Sequence, residues 1–295
     1  MTWLADPVVD RPSPAPAAHP AERRMADALR SLAIGTAEAA GADYPGLAVG
    51  MADAATVLWS QFHRFDAAAP RWPDRDRFVL SPGHGALLLY SLLHLTGYVG
   101  MDAEMLARHR QLGSPAGGHP EHGAHPGVEA TTGPLGQGLA AAVGMALAER
   151  LLAARFGKSL VDHRTWVLAT IGDLMEGVTH EAVSLAGHLR LEKLVVLLED
   201  DTNNADCNSM LAGQEDALRR FAAAGWATRT VDAHDAEQIA AALSLAGRSR
   251  RPTLIACRTT LTRGAPPHRR RRRTSSPCSN GRSPAAAGLR RAGPG

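Results

Sequence analysis

From residue 165 to residue 258 the sequence alternates short β-branched or aliphatic runs with longer helical ones, and no linker interrupts the alternation. The runs at 165–171, 193–199, 226–231 and 252–258 read as strands, with helices expected at 176–189, 214–223 and 235–247. Strands joined through helices pair in parallel, because each crossover returns the chain to the same end of the sheet. The pattern therefore predicts an α/β fold in three layers, a mainly parallel sheet with helices on both faces. In such sheets ligands gather outside the carboxyl ends of the strands, which is where Gly172 and Asp200-Asp201 fall.

The upstream half is richer in helix. Helices are expected over 22–41 and 51–64, broken at Tyr44-Pro45-Gly46, followed by a short strand at 78–80. Beyond Ser81-Pro82-Gly83 the apolar run 87–95 reads as a buried helix ended by Gly97, with a shorter helix over 102–110. Residues 112–134 form a Gly- and Pro-rich loop carrying His119, His122 and His125, and a loop of that length inside a domain is a place to look for function. The three histidines lack the spacing and the fourth ligand of a zinc site.

That loop ends in Thr131-Thr132-Gly133-Pro134-Leu135-Gly136-Gln137-Gly138. Glycines let a backbone approach a ligand and turn its N–H groups toward oxygens, and a helix opening just beyond adds the positive end of its dipole. Such a segment suits a diphosphate. Leu135, Leu139, Val143, Leu147 and Leu151 then recur every four residues and define one apolar face of a helix running to about Phe156.

Composition narrows the function classes. The formal charge of +3 is set by the end of the chain, where residues 264–295 hold eight arginines and no acid, so the rest is net acidic. The run Arg269 to Arg273 has no interleaved aromatic residue on which bases could stack, which argues against a nucleic-acid function. An Arg/Pro/Ala/Gly/Ser tail of this kind is what a shifted reading frame in GC-rich DNA would give. Residues 1–21, rich in Pro and Ala, are expected to form a disordered arm, leaving 22–263 as the folded domain and 264–295 as a disordered basic tail. No apolar stretch approaches a membrane span and the start has no signal-peptide core, so the expected location is the cytoplasm. Cys207, Cys257 and Cys278 have no metal-site spacing and read as reduced thiols.

Taken together, Ser81-Pro82-Gly83-His84-Gly85, Gly118-His119-Pro120-Glu121, the glycine-rich segment and Leu174-Met175-Glu176-Gly177 resemble the N-terminal, diphosphate-binding half of transketolases, over about Met25 to Arg263. The resemblance implies thiamine diphosphate and Mg2+ (or Ca2+) as cofactors, and transfer of a two-carbon ketol unit between sugar phosphates. It makes His84, Gly133, Pro134, Leu135, Gly172 and Asp201 cofactor contacts and places His119 near the reacting substrate. Glu176 and Glu181 match glutamates that couple two active sites at a subunit interface. The pyrimidine-binding domain, which brings the activating glutamate, is expected from elsewhere, in a homodimer or in a companion chain. The alternative is a degenerate relative that binds or scaffolds without catalysis.

The chain also departs from the family pattern. Five residues before Glu176, where the resemblance calls for a metal-binding Asp, stands Ile171, which offers no oxygen. Asp201 stands in place of a metal-binding Asn, with Asn203 beside it as a further candidate metal ligand. Asp173 is a candidate substitute if the strand continues, since residues two apart on a strand point the same way. Tyr44 stands where the family has a substrate-contacting histidine, and Ala205-Asp206-Cys207 replaces Ile-Asp-Gly. Tyr44 can hydrogen-bond but cannot carry positive charge near neutral pH.

Overall fold

Five parallel strands, β1 (Arg77–Leu80), β2 (Thr165–Thr170), β3 (Leu194–Asp200), β4 (Ala227–Asp232) and β5 (Thr253–Arg258), form one sheet in the spatial order β1-β2-β3-β5-β4. The structure, a computed structural model, describes residues 20–41, 45–200 and 216–259. Tyr44, Asp201, Asn203, residues 1–19 of the expected arm and the whole arginine-rich tail lie outside the described residues.

Strands β1, β2, β3 and β5 are sandwiched because their side chains alternate between faces, while β4, at the edge, buries only Val231. Phe78, Leu80, Trp166, Leu168, Val195, Leu197 and Ile255 pack on one side beneath α1 (Pro20–Ala40), α2 (Gly46–Val57), α3 (Ala86–Leu95) and a helix at Ala236–Arg248. Val79, Val167, Ala169, Val196, Leu198, Leu254 and Ala256 pack on the other side against helices at Gln137–Phe156, Gly177–Leu189 and Ala217–Ala223. In chain order the helices after α3 are α4 (Ala103–Ala107), α5 (Gln137–Phe156), α6 (Ile171–Leu174), α7 (Gly177–Leu189), α8 (Ala217–Ala223) and α9 (Ala236–Arg248). Two cores separated by one sheet make the three-layer α/β fold. Among the described residues, no helix is long and apolar enough to cross a membrane.

Most expected elements are present, and the differences have physical causes. Helix α2 begins at Gly46 rather than near 51, directly after Pro45, and is buried on nearly every side, so no polar face marks its start. Helix α1 begins at Pro20, inside the expected arm. The apolar face of α5 does not hold over its length. A spacing of four advances about 40° per step on a helix, so the row winds around it. Leu139 and Val143 are buried, Leu147 is half-buried and Leu151 is exposed.

The amino end of the sheet is closed by Asp76, which is 2% exposed. Its carboxylate accepts the N–H groups of Arg64 (3.0 Å) and Arg164 (2.8 Å) and the indole Nε1–H of Trp166 (2.9 Å). The Arg64 guanidinium lies 3.6 Å away. Beside it Trp59, His63, Phe65 and Phe78 form a contiguous aromatic cluster. Burial pushes the His63 imidazole down to about 4, against the pull of the Asp76 carboxylate and with help from Arg75 and Arg77.

Candidate functional site

At the carboxyl end of the sheet two glycine-containing turns lie backbone against backbone. The first, Ser81-Pro82-Gly83, leaves β1 and runs through one 3-10 turn (Gly83–Gly85) into α3, which sets the His84 side chain at the surface. A Cβ on Gly83 would sit 2.8 Å from the carbonyl oxygen of Thr132 and the nitrogen of Gly133, so the second turn crosses where only glycine leaves room. The second turn brings Gly136 to φ +78°, the left-handed region, as the residue before α5. A Cβ there would also meet Thr179 Oγ1 at 2.7 Å and Glu176 Cβ at 2.8 Å.

The long loop feeding the second turn is pinned by His109 just before it and by two of its own histidines. His109 Nδ1 is bonded to the Ala116 carbonyl (3.0 Å), His122 Nδ1 to that of Val128 (3.1 Å) and His125 Nε2 to that of Val99 (3.1 Å). His125 Nδ1 accepts the Gly127 N–H. A bidentate pair from Arg75 to Glu129, at 2.8 and 2.7 Å, fastens the loop's far side. His122 and His125 are thus loop fasteners, and among the described residues no group of three or more His, Cys, Asp or Glu is placed to hold a metal ion.

His119 faces solvent, with its carbonyl accepting the Tyr90 hydroxyl at 3.0 Å and its ring beside Gly133. His84 is reachable by solvent too, yet the turn around it desolvates the ring enough to hold it below its ordinary value. The Asp173 carboxylate pulls that value the other way, and His119 pushes it further down. The Leu135 side chain reaches Gly172, where a Cβ would meet it at 3.0 Å. His84, His119, Gly133, Leu135 and Gly172 are therefore brought to one rim, with Pro134 exposed between them.

Asp173 sits beneath this rim and is fully buried. Strand β2 ends at Thr170 and α6 begins at Ile171, so the strand alternation that would aim residues 171 and 173 the same way stops short of both. Asp173 Oδ1 accepts the Ser81 hydroxyl (2.6 Å) and the Gly136 N–H (2.9 Å), and Oδ2 accepts the Thr170 N–H (2.8 Å) and hydroxyl (2.9 Å). Its carbonyl accepts the Thr179 hydroxyl at 2.7 Å. Each carboxylate oxygen already has two donors. The motif Ser81-Pro82-Gly83-His84-Gly85 includes Ser81 but assigns it no role, and no motif singles out Thr170 or Thr179, because these roles arise only when distant segments meet. Ile171 is half-buried and packs against the edge of the α5–α7 core.

Glu176, in extended conformation, precedes α7 and is exposed, as is Glu181 within that helix. Around them Met175, Val178 and Leu185 remain 55%, 42% and 45% exposed, an apolar edge beside two acids.

Comparison with known proteins bears on this geometry. The family described as transketolase, thiamine diphosphate binding domain, matches residues 21–277. The transketolase of Sinorhizobium medicae is 53% identical over 250 residues, which cover 85% of this chain and 36% of that protein. The crystal structure of transketolase from Campylobacter jejuni superimposes with a TM-score of 0.79 at 39% identity, over 83% of this chain and 38% of the other. A Pichia stipitis transketolase solved in complex with sedoheptulose 7-phosphate gives 0.77 at 41% identity, over 81% of this chain and 36% of the other. The chain spans little more than a third of the length of these relatives.

Proposed function

This chain belongs to the transketolase family, by its thiamine diphosphate binding domain, and we propose that it is the part of such an enzyme that holds the cofactor's diphosphate. The observation that carries this reading is the pair of interlocked glycine turns with His84 and His119 above them, at the strand ends where α/β proteins take up ligands. Room for backbone only and imidazoles beside it fit a diphosphate and the sugar phosphate that follows it. When bound, thiamine diphosphate supplies the carbanion chemistry of ketol transfer. In this reading His84 donates to phosphate oxygens and His119 orients the substrate, while Gly133, Leu135 and Gly172 line the cofactor.

The apolar edge of Met175, Val178 and Leu185 around Glu176 and Glu181 supports docking of a second copy or a companion chain that carries the pyrimidine-binding domain. The described residues do not fit the metal as well as they fit the diphosphate. Ile171 offers no oxygen, and the oxygens of Asp173 are taken by four donors. This supports a weakened magnesium site and favours, as a second reading, a relative that keeps the cradle for binding while catalysis is lost.

Titration calorimetry of the 295-residue chain with thiamine diphosphate, with and without Mg2+, tests the first reading. Adding a separately produced pyrimidine-binding domain and following ketol transfer between sugar phosphates then separates it from the second. Binding followed by activity only in the mixture is expected. Turnover by the chain alone would overturn the proposed division of labour, and no uptake of the cofactor would overturn the cradle itself.

A further inference from the structure

Helix α5 begins at the glycine-rich turn, and its leading N–H groups are the obvious place for an anion. Two of them are already engaged. The Gly136 N–H is bonded to Asp173 Oδ1, and the Leu139 N–H to Ser81 Oγ at 3.1 Å, while the Ser81 hydroxyl itself donates to Asp173 Oδ1. Helix α5 has no side-chain cap of its own, so a carboxylate 37 residues away in sequence serves as its cap through space. The other oxygen holds Thr170 at the end of β2, and the Asp173 carbonyl holds Thr179 in the first turn of α7. The turn after β1, the glycine-rich turn and the end of β2 thus meet at one buried side chain, and the start of α7 meets the carbonyl of the same residue. Every donor to that carboxylate is neutral, and none of these groups is a lysine or arginine.

We propose that Asp173 is a positioning residue, which caps α5 from outside the helix, fixes the glycine-rich turn against β2, and withdraws that helix end from the cofactor's diphosphate. The inference rests on the cofactor reading above. Its chemical consequence is specific. A buried anion at the positive end of α5 opposes a second anion there, so the diphosphate is left to the surface of the turns, beside His84 and Gly172. The geometry of the cap and the charge of the cap then act in opposite directions on cofactor affinity, and substitutions can pull them apart.

Asp173→Asn keeps an oxygen for Ser81 and Gly136, while its NH2 can face a Thr170 hydroxyl turned to accept, so only the Thr170 N–H bond is lost. Asp173→Ala removes all four side-chain bonds and leaves the Thr179 bond to the main-chain carbonyl. In the full chain, amide exchange at Gly136 and Leu139 is expected to quicken about tenfold or more in Asp173→Ala and to change little in Asp173→Asn. Thiamine diphosphate, titrated in the same proteins, is expected to bind about tenfold more weakly to Asp173→Ala and at least as tightly to Asp173→Asn as to the unsubstituted chain. Equal weakening in both folded variants would overturn the proposal, because charge and not geometry would then be the contribution. Unchanged exchange in Asp173→Ala would overturn it as well. Should that variant fail to fold, Ser81→Ala provides the decision, with faster exchange at Leu139 and weaker binding expected and no change in either fatal. If the unsubstituted chain takes up no thiamine diphosphate, the cofactor reading fails, while exchange at Gly136 and Leu139 still decides whether Asp173 is the cap.

Discussion

Two buried aspartates pin the sheet, Asp76 ahead of β1 and Asp173 just past β2, and their surroundings differ in kind. Asp76 joins Arg64, Arg164 and Trp166 with a guanidinium nearby and aromatic rings packed alongside. Asp173 joins Ser81, Gly136 and Thr170 with neutral donors alone, under turns that keep glycine where their backbones cross. The same device therefore seals one end of the sheet and holds the other open. At the amino end the hydrogen bonds are covered by rings. At the carboxyl end they fix backbone whose outer surface stays free for a ligand.

The largest expected effect lies at the sealed end. Asp76→Ala would leave two backbone N–H groups and the Trp166 indole without their acceptor, at a cost of about 3–5 kcal/mol in unfolding free energy. Urea unfolding followed by tryptophan fluorescence measures it, and a loss below about 1 kcal/mol would break the comparison. Next comes acid sensitivity of the same end. His63 has a folded value of about 4 against an ordinary 6.5, so the unfolded chain binds the proton first as pH falls. Stability is fully present above pH 6.5, declines toward pH 4 and loses about 3 kcal/mol from this group before levelling off. His63→Leu should flatten the pH dependence of the urea midpoint in that window, and parallel curves for the two proteins would refute it.

At the open end the expected effects are smaller and read out in binding. Gly136→Ala forces a side chain into the left-handed region and against Thr179 and Glu176, costing about 2 kcal/mol and weakening thiamine diphosphate uptake. Calorimetric and thermal unfolding of the pair would show it. Ile171→Asp restores an oxygen at the first position of α6, where the helix dipole favours an acid, and should strengthen magnesium-dependent cofactor binding roughly tenfold, about 1.4 kcal/mol. Titration with and without Mg2+ checks this, and an unsubstituted chain that already binds with strong magnesium dependence would remove the reason to expect it.

The strands were legible because a buried parallel strand is a short apolar run and its neighbours are helices of ordinary length. Even β4, with Thr228, Arg229 and Thr230 in its middle, was found through its place in the alternation. Less legible was the start of α2, since a helix buried all round carries no periodic polar mark. The winding of Leu135 to Leu151 out of the core follows from helix geometry, yet a count of apolar matches hides it. In the site, glycines and histidines announced themselves because their chemistry is local. Asp173 did not. Its partners lie 92, 37 and 3 residues away, and the expectation built on strand alternation depended on β2 lasting beyond Thr170.

The sheet order has a consequence in time. Strand β4 pairs with β5, and β5 also pairs with β3, so the strand synthesised last among the described ones takes an inner place between two made before it. Until residues 253–258 leave the ribosome, β3 has a bare edge and β4 has no neighbour to join. Pairing of this non-local kind is slow, and an unpaired edge is open to other chains in the meantime. A nascent chain held before residues 253–258 emerge would keep the edge of β3 open to pairing with a copy of itself.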